Sequence, residues 1–356
     1  MQSREKPSPE AIRKARTENP GMRERDLAQS LSISEAELVA AHCGESVMRI
    51  EPDAQKLLHG LEAVGEVMAL TRNESAVHEK IGVYEKVTVG QEHAIVLGEQ
   101  IDLRIFPKAW AHGFAVEKRG EEGIRHSLQF FDAAGDAVHK VHLRAASNLY
   151  AYQNLVARLE SADRSQTVET VKAVASSAGD PANDDGIAAH ADLLRDRWSR
   201  MTDVHQLFAI LKKLKMTRHQ AVRMIGEEYA WQVASDAVGA MLGHAASEEL
   251  PIMCFVGNKG CVQIHSGPIH DIRPMGPWLN IMDPTFHLHL RMDHIAEVWA
   301  VRKPSKDGNI TSLEAYDSDR RMIIQFFGVR KEGSPEREDW RFLVENLPRI
   351  PQSTAA

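Results

Sequence analysis

The chain is written twice, and that duplication constrains its fold more than any other feature. With an offset of 185 residues, Ile101 to Phe106 falls on Phe286 to Arg291, Val116 to Lys118 on Val301 to Lys303, and Leu128 to Asp132 on Leu313 to Asp317, without a gap between blocks. The alternating apolar positions (Leu103, Ile105 and Ala115 in one copy, Leu288, Leu290 and Ala300 in the other) predict strands. Upstream the offset is 183: Leu31 to Glu37 matches Leu214 to Gln220. Both stretches carry a helix-start signature, Ser34 with Glu37 and Thr217 with Gln220, in which the hydroxyl caps a backbone amide and the Glu or Gln reaches back.

Each copy therefore reads as two helices, a third helix (Asp53 to Val64; about Ala234 to Gly243), a run of strands, and a closing helix (about Ser147 to Leu159; Glu336 to Leu347). Helices followed by consecutive strands predict an α+β fold with large antiparallel sheets in two duplicated halves. The expected halves are residues 1–162 and 191–356. The join, 163–190, is rich in Ala, Ser, Asp and Gly, includes Gly179 to Gly186, and reads as a linker.

Bulk properties narrow the function. Hydrophobic residues make up 43% and charged residues 26%, the balance of a water-soluble globular protein. No apolar run approaches the roughly 18 residues that span a bilayer, so no membrane insertion is expected. Met1 to Pro20 is charged and has no apolar stretch of the signal-peptide kind, so export is not expected. Three cysteines without a C-x-x-C pair exclude a disulfide scaffold, a zinc ribbon and covalent c-type haem, and suit a reducing cytoplasm. A net charge of −7 argues against a nucleic-acid surface. Met22 to Glu37 has a helix-turn-helix look, but Glu35 and Glu37 put the wrong charge against a DNA groove.

The copies differ where chemistry could sit. A helix is expected over Asp192 to Leu214, with an apolar seam of Leu194, Trp198, Met201, Val204, Phe208 and Leu211. His205 lies at the edge of that seam, where the first copy has Met22, and Arg104 of the first copy is replaced by His289 in the second. His205 reads either as a hydrogen-bonded core histidine or as an axial haem ligand, since a neutral imidazole nitrogen can bind iron. His287 and His289 share one strand face, and with His265, His270 and His294 nearby in sequence they leave a non-haem metal site open.

Several stretches carry a resemblance. They are Met201-Thr-Asp-Val-His205-Gln-Leu-Phe208, Thr217-Arg218-x-Gln220, Pro20 to Ala28 with Ser34 to Leu38, Leu103 to Phe106, Trp278 to Pro284, and Gln325 to Arg330. In this order, over roughly residues 11 to 348, the chain resembles the HemS-type family of haem-trafficking and haem-degrading proteins, which is also internally duplicated.

The resemblance implies one noncovalent haem b per chain in a pocket between the halves. It implies His205 as the proximal iron ligand, Arg104 on the distal side, and Phe106 and Phe208 against the macrocycle. Arg218, Lys303, Gln325 and Arg330 fall around the propionates. Charge-assisted hydrogen bonds suit carboxylates, a permanently charged guanidinium can donate to a distal ligand, and phenyl rings supply apolar contact. The implied role is cytoplasmic: accepting haem from an ABC importer and passing it to a haem oxygenase. The rival reading is an enzyme that itself opens the ring, with Arg104 as the distal catalytic group.

Overall fold

The computed structural model describes residues 6–121, 123–171, 190–331 and 333–350. These hold ten helices and eighteen strands, and the chain divides into two units. The first comprises Met1–Asn73, His78–Val174 and Gly257–Gln263, the second Glu74–Val77, Ala175–Val256 and Ile264–Ala356. Of the stretch read as a linker, 163–171 runs along the first unit: Gln166 Nε2 donates to Cys43 O at 2.9 Å and Val168 is buried. Residues 172–189, with Gly179 to Gly186, lie outside the described residues.

The first unit opens with helices α1 (Pro9–Glu18), α2 (Glu24–Ser30) and α3 (Glu35–Ala40), strand β1 (Val47–Ile50) and helix α4 (Ala54–Val64). Strands β2 (Val67–Arg72), β3 (Ala76–Gly82), β4 (Val87–Val89), β5 (Ala94–Leu97), β6 (Asp102–Ile105), β7 (His112–Gly120), β8 (Gly123–Phe131) and β9 (Ala137–Leu143) follow, then helix α5 (Leu149–Leu159). β1-β7-β8-β9-β2 form one antiparallel run, and β4-β5-β6 a meander.

The second unit repeats this order. Helices α6 (Ala191–Ser199), α7 (Gln206–Leu214) and α8 (Arg218–Met224) precede β10 (Ala230–Val233) and α9 (Ala237–Ser247). β11 (Ile252–Gly257), β12 (Cys261–Gly267), β13 (Ile272–Met275), β14 (Trp278–Met282), β15 (Phe286–Arg291), β16 (Glu297–Ser305), β17 (Gly308–Tyr316) and β18 (Met322–Gly328) lead to α10 (Glu338–Glu345). The matching run is β10-β16-β17-β18-β11, and β13-β14-β15 is the meander.

The repeat is kept in register. β2, β7, β8 and β9 and their counterparts β11, β16, β17 and β18 all begin 185 residues apart, and the irregularity at Phe130/Phe131 recurs at Ala315/Tyr316. The earlier elements keep the offset of 183. The difference lies in one loop: α4 reaches β2 through Gly65 and Glu66, whereas α9 reaches β11 through Glu248 to Pro251.

Period-two alternation gives each sheet two faces to cover. In the first unit Ala115, Leu128, Phe130 and Val141 pack under α4 and α5, while Phe114, Val116 and Phe131 pack against α3. In the second, Ala300, Leu313 and Phe326 pack with α9 and α10, and Trp299, Val301 and Tyr316 with α6 to α8. Both expected capping boxes are present, Ser34 with Glu37 and Thr217 with Gln220.

Three readings need correction. Three short helices, not two, open each copy, and a four-residue strand, β1 or β10, intervenes before the next helix. Four residues are too few for alternation to announce a strand. The helix expected over Asp192 to Leu214 is broken between Ser199 and Gln206. There the Gln206 side chain accepts from the Thr202 and Asp203 amides, and Asp203 accepts from His205 N at 2.8 Å. Such local bonds compete with helical ones. The break rephases the seam to Leu207, Ile210, Leu211 and Leu214 and leaves Phe208 66% exposed.

A buried chain of polar groups anchors the 257–263 segment in the first unit. Tyr84 OH donates to His139 Nε2 at 2.6 Å, His139 Nδ1 donates to Thr71 Oγ1 at 2.8 Å, and Thr71 donates to Cys261 Sγ at 3.3 Å. Gly260 O accepts from Phe106 N and from Trp110 Nε1, both at 3.0 Å, and a Cβ at Gly260 would sit 2.6 Å from Val138 Cγ1. Burial, helped by nearby His142, depresses the His139 pKa to about 3 from the ordinary 6.5. Between those values the unfolded chain takes up a proton that the folded chain refuses, so stability is full above pH 6.5 and declines as pH falls toward 3. One such group contributes a slope of up to about 1.4 kcal/mol per pH unit. Urea unfolding of His139→Gln from pH 7 to pH 4.5 should therefore show a shallower decline than wild type; an unchanged slope would refute this assignment.

Candidate functional site

On the helix-covered face of β16, β17 and β18, three of the four expected propionate residues, Arg218, Lys303 and Gln325, gather around a carboxylate that sequence reasoning missed. Lys303, Glu314 and Gln325 come from three adjacent strands, with Glu314 paired to Gln325 across β17 and β18. Arg218, the first residue of α8, reaches this face from the helical layer, held there by the Thr217 cap. Glu314 is fully buried and accepts five hydrogen bonds. Arg218 donates from Nε at 2.9 Å and Nη2 at 2.6 Å, Lys303 Nζ at 2.8 Å, Ser312 Oγ at 2.7 Å and Tyr316 OH at 2.7 Å.

Burial works to raise the Glu314 pKa, but Arg218 and Lys303 overcome it and hold the carboxyl far below the usual range. Burial and the Arg218 charge pull Lys303 down to about 8, against the pull of Glu314. Lys303 also lies over the Phe327 ring, 5.1 Å from its centroid. With its amide oxygen turned to Arg218, Gln325 accepts from Nη2 at 2.8 Å. The cluster thus presents two cations and one anion, a net charge of one. Arg218 is 20% exposed on its side chain, so the cluster is reachable from one side.

Beside it, Met253, Phe255, Gln325 and Phe327 are half-buried on the same face, and the rings of Phe255 and Phe327 meet edge-on at 5.1 Å. Alternation in β11 and β18, where Cys254, Val256, Ile324 and Phe326 are buried, was the signal that could have marked this second aromatic face. Arg330, two residues past β18, is half-buried and its side chain makes no hydrogen bond or ion pair among the described residues.

The remaining expected residues sit elsewhere on their elements. His205 caps the N-terminus of α7 through its backbone; its exposed imidazole makes no hydrogen bond among the described residues. Phe208, one turn on, is exposed beside the seam that packs α7 onto Trp299 and Val301. The reading of His205 as a satisfied core histidine is therefore excluded. In the first unit, Arg104 on β6 donates to Asp102 of its own strand and to Leu103 O, and Phe106 at the strand end is 40% exposed. Three of the five histidines weighed as a metal site are otherwise engaged: His289 Nδ1 lies 2.6 Å from Asn280 Oδ1, His294 Nδ1 2.9 Å from Ser75 Oγ, and His265 stacks on Phe286. Among the described residues no three His, Cys, Asp or Glu side chains are grouped to hold a metal ion. Nor is any helix among them long and apolar enough to cross a membrane.

A duplicated α+β domain with a cationic, aromatic-edged sheet face under a layer of short helices defines the class. Residues 32–159 and 215–347 each match the family described as "Haemin-degrading HemS.ChuX domain", and the chain belongs to that family. It is 40% identical to the hemin transport protein HmuS of Yersinia pestis over 338 residues, 94% of this chain and 95% of that one. The holo structure of PhuS, a heme-binding protein from Pseudomonas aeruginosa, matches at 42% identity and TM-score 0.92, covering 97% of this chain and 100% of its own. ChuS, described as an E. coli heme oxygenase, matches at 38% identity and TM-score 0.82 over 92% of this chain and 96% of its own.

Removing the anion from a buried ion cluster strands its cations, at a cost of about 3–5 kcal/mol. Glu314→Ala should lose about that much unfolding free energy by chemical denaturation at pH 7. A loss below about 0.5 kcal/mol, the scatter of ordinary surface changes, would show that Glu314 is not what holds Arg218 and Lys303.

Proposed function

We propose that this protein binds one haem b noncovalently in the bacterial cytoplasm, accepts it from an ABC importer and hands it on for iron release. The observation that carries the reading is His205: an exposed imidazole at a helix start, free of hydrogen bonds among the described residues, with an exposed phenyl ring one turn away. An imidazole kept so available suits a ligand role better than a structural one. The relatives named above, described as hemin transport and heme-binding proteins, support the same reading.

The donor set fits haem. His205 would supply the axial nitrogen, with Phe208 and Phe106 in apolar contact. Arg218, Lys303, Gln325 and Arg330 would supply donors to carboxylates, Arg330 with a guanidinium not yet engaged among the described residues. Arg104 would stand on the distal side, exchanging its bond to Asp102 for one to a distal ligand. Bound haem would supply the iron and the macrocycle.

A second reading is degradation of haem by this chain, favoured by the 38% identity to ChuS, a relative described as a heme oxygenase. There Arg104 would be the catalytic donor, its permanent charge suited to a distal anionic ligand.

Titration with hemin should give a Soret band saturating at one equivalent. In His205→Ala the band should shift and the Kd should rise at least about tenfold, the equivalent of 1.4 kcal/mol. An unchanged spectrum and affinity would remove His205 as the ligand. With a reductase and catalase present, a stoichiometric tetrapyrrole product that is lost in Arg104→Ala would favour the enzyme; bleaching only without catalase would leave the carrier.

A further inference from the structure

The two copies differ at one corner of the fold, and the difference leaves a cavity in the first unit. In the second unit the corner between β10, β16 and α10 is filled. The guanidinium carbons of Arg302 and Arg349 lie over the ring of Trp231 on β10, at 5.2 and 4.7 Å from its centroid. Arg302 is paired with Glu345 at 2.5 Å, and the buried Trp340 donates its indole N–H to Thr311 O at 2.9 Å.

The first unit keeps the backbone and changes the side chains. Met48 faces Ala115 across β1 and β7 as Trp231 faces Ala300, and Glu117 faces His126 as Arg302 faces Thr311. Tyr152, the fourth residue of the closing helix α5, is buried here, as Trp340, the third residue of α10, is in the second copy. A smaller thioether for an indole, and a carboxylate for a guanidinium, leave an open cavity of about 480 Å³. Its apolar lining includes Met48, Ala115 and Val156, and His126 and Tyr152 form an aromatic wall with ring centroids 5.4 Å apart. This volume lies within the range of small-molecule sites, roughly 300–1,000 Å³.

The charges select the ligand. Asp163 is held by Arg49 at 3.1 Å, Glu45 by Arg13 at 3.2 Å, and Glu160 by Arg164. Glu117 alone among the lining carboxylates has no Lys or Arg within 4.0 Å among the described residues; its neighbour is His126 Nδ1 at 3.7 Å. That Nδ1 is itself buried without a hydrogen bond.

We infer that this cavity binds a small organic cation with an aromatic body, its ammonium or amidinium group on Glu117 and its ring against Met48, His126 and Tyr152. Such a ligand supplies from outside the indole and the cation that Trp231 and Arg302 supply from within the second copy. Cation–π contact with Tyr152 adds to the carboxylate pairing. The inference does not depend on the haem reading, because none of these residues is assigned to haem.

Phenethylamine is a suitable probe, with phenylacetate as its charge-reversed counterpart, each titrated calorimetrically into the full-length chain. Phenethylamine should bind and phenylacetate should not. Glu117→Gln should weaken phenethylamine at least about tenfold, and Met48→Trp, which installs the second copy's own filler, should abolish binding; both should keep the wild-type hemin titration. Should Met48→Trp fail to fold, Glu117→Gln decides alone. No heat with phenethylamine, equal binding of phenylacetate, or undiminished binding by Glu117→Gln would overturn the inference.

Discussion

In each unit a buried ion pair ties the helical layer to the sheet, and its polarity is reversed between the copies. The residue just inside the capping box is Arg218 in the second copy and Glu35 in the first. Arg218 meets Glu314 from β17, whereas Glu35 meets Arg72 from β2 and Lys140 from β9. The helices involved are six and seven residues long, too short to persist alone in water. They exist because they dock, through small apolar clusters and through these pairs. A buried pair contributes little net stability over apolar packing, but breaking one side of it is expensive. It thus acts as a register pin, fixing where a short helix sits on the sheet.

The reversal has consequences for the faces beneath. In the first copy the β9 position is Lys140, hemmed in by Glu35 and Glu24 and lowered to about 8, chiefly by burial. In the second copy the same position is Gln325, a neutral amide that leans on Arg218 and leaves the face beyond it to Phe255 and Phe327. Once the helix supplies the cation, β18 is relieved of that duty and can carry an amide and a ring. One copy keeps a charged, internally paired face; the other gains a mixed aromatic and cationic one.

Much of this was legible in the sequence. The strand blocks at one offset, the capping boxes and the closing helices all appear where the residues place them, because each depends on local pattern. The places of Arg218, Lys303 and Gln325 were legible only through family resemblance, and Glu314, which accepts from both cations, was not. Its counterpart in the first copy is Gln129, so the repeat gave no hint, and a carboxylate in a β run reads as solvent-facing until the covering helices are placed. The helix break before His205 escaped because apolar residues continue at helical spacing through Thr202 and Asp203. There side-chain hydrogen bonds, which spacing does not record, decide the backbone. The cavity at Met48 and Glu117 was equally hidden, since it is defined by what a side chain fails to fill.

Glu314 also bears on how a ligand could leave. Two cations at a sheet face would repel each other and pay heavily for lost hydration if nothing lay between them. With Glu314 between them they are paired whether or not a ligand is present, and only one net charge is left to attract an anion. Arg218 has two of its N–H groups on Glu314 and others turned to Gln325, an amide that can rotate away at small cost. A ligand carboxylate would then exchange one acceptor for another rather than discharge a bare guanidinium, and its departure would strand no charge. Affinity in such a site comes from placement more than from field strength. For the carrier role proposed above, such a site would serve release better than a deep electrostatic well.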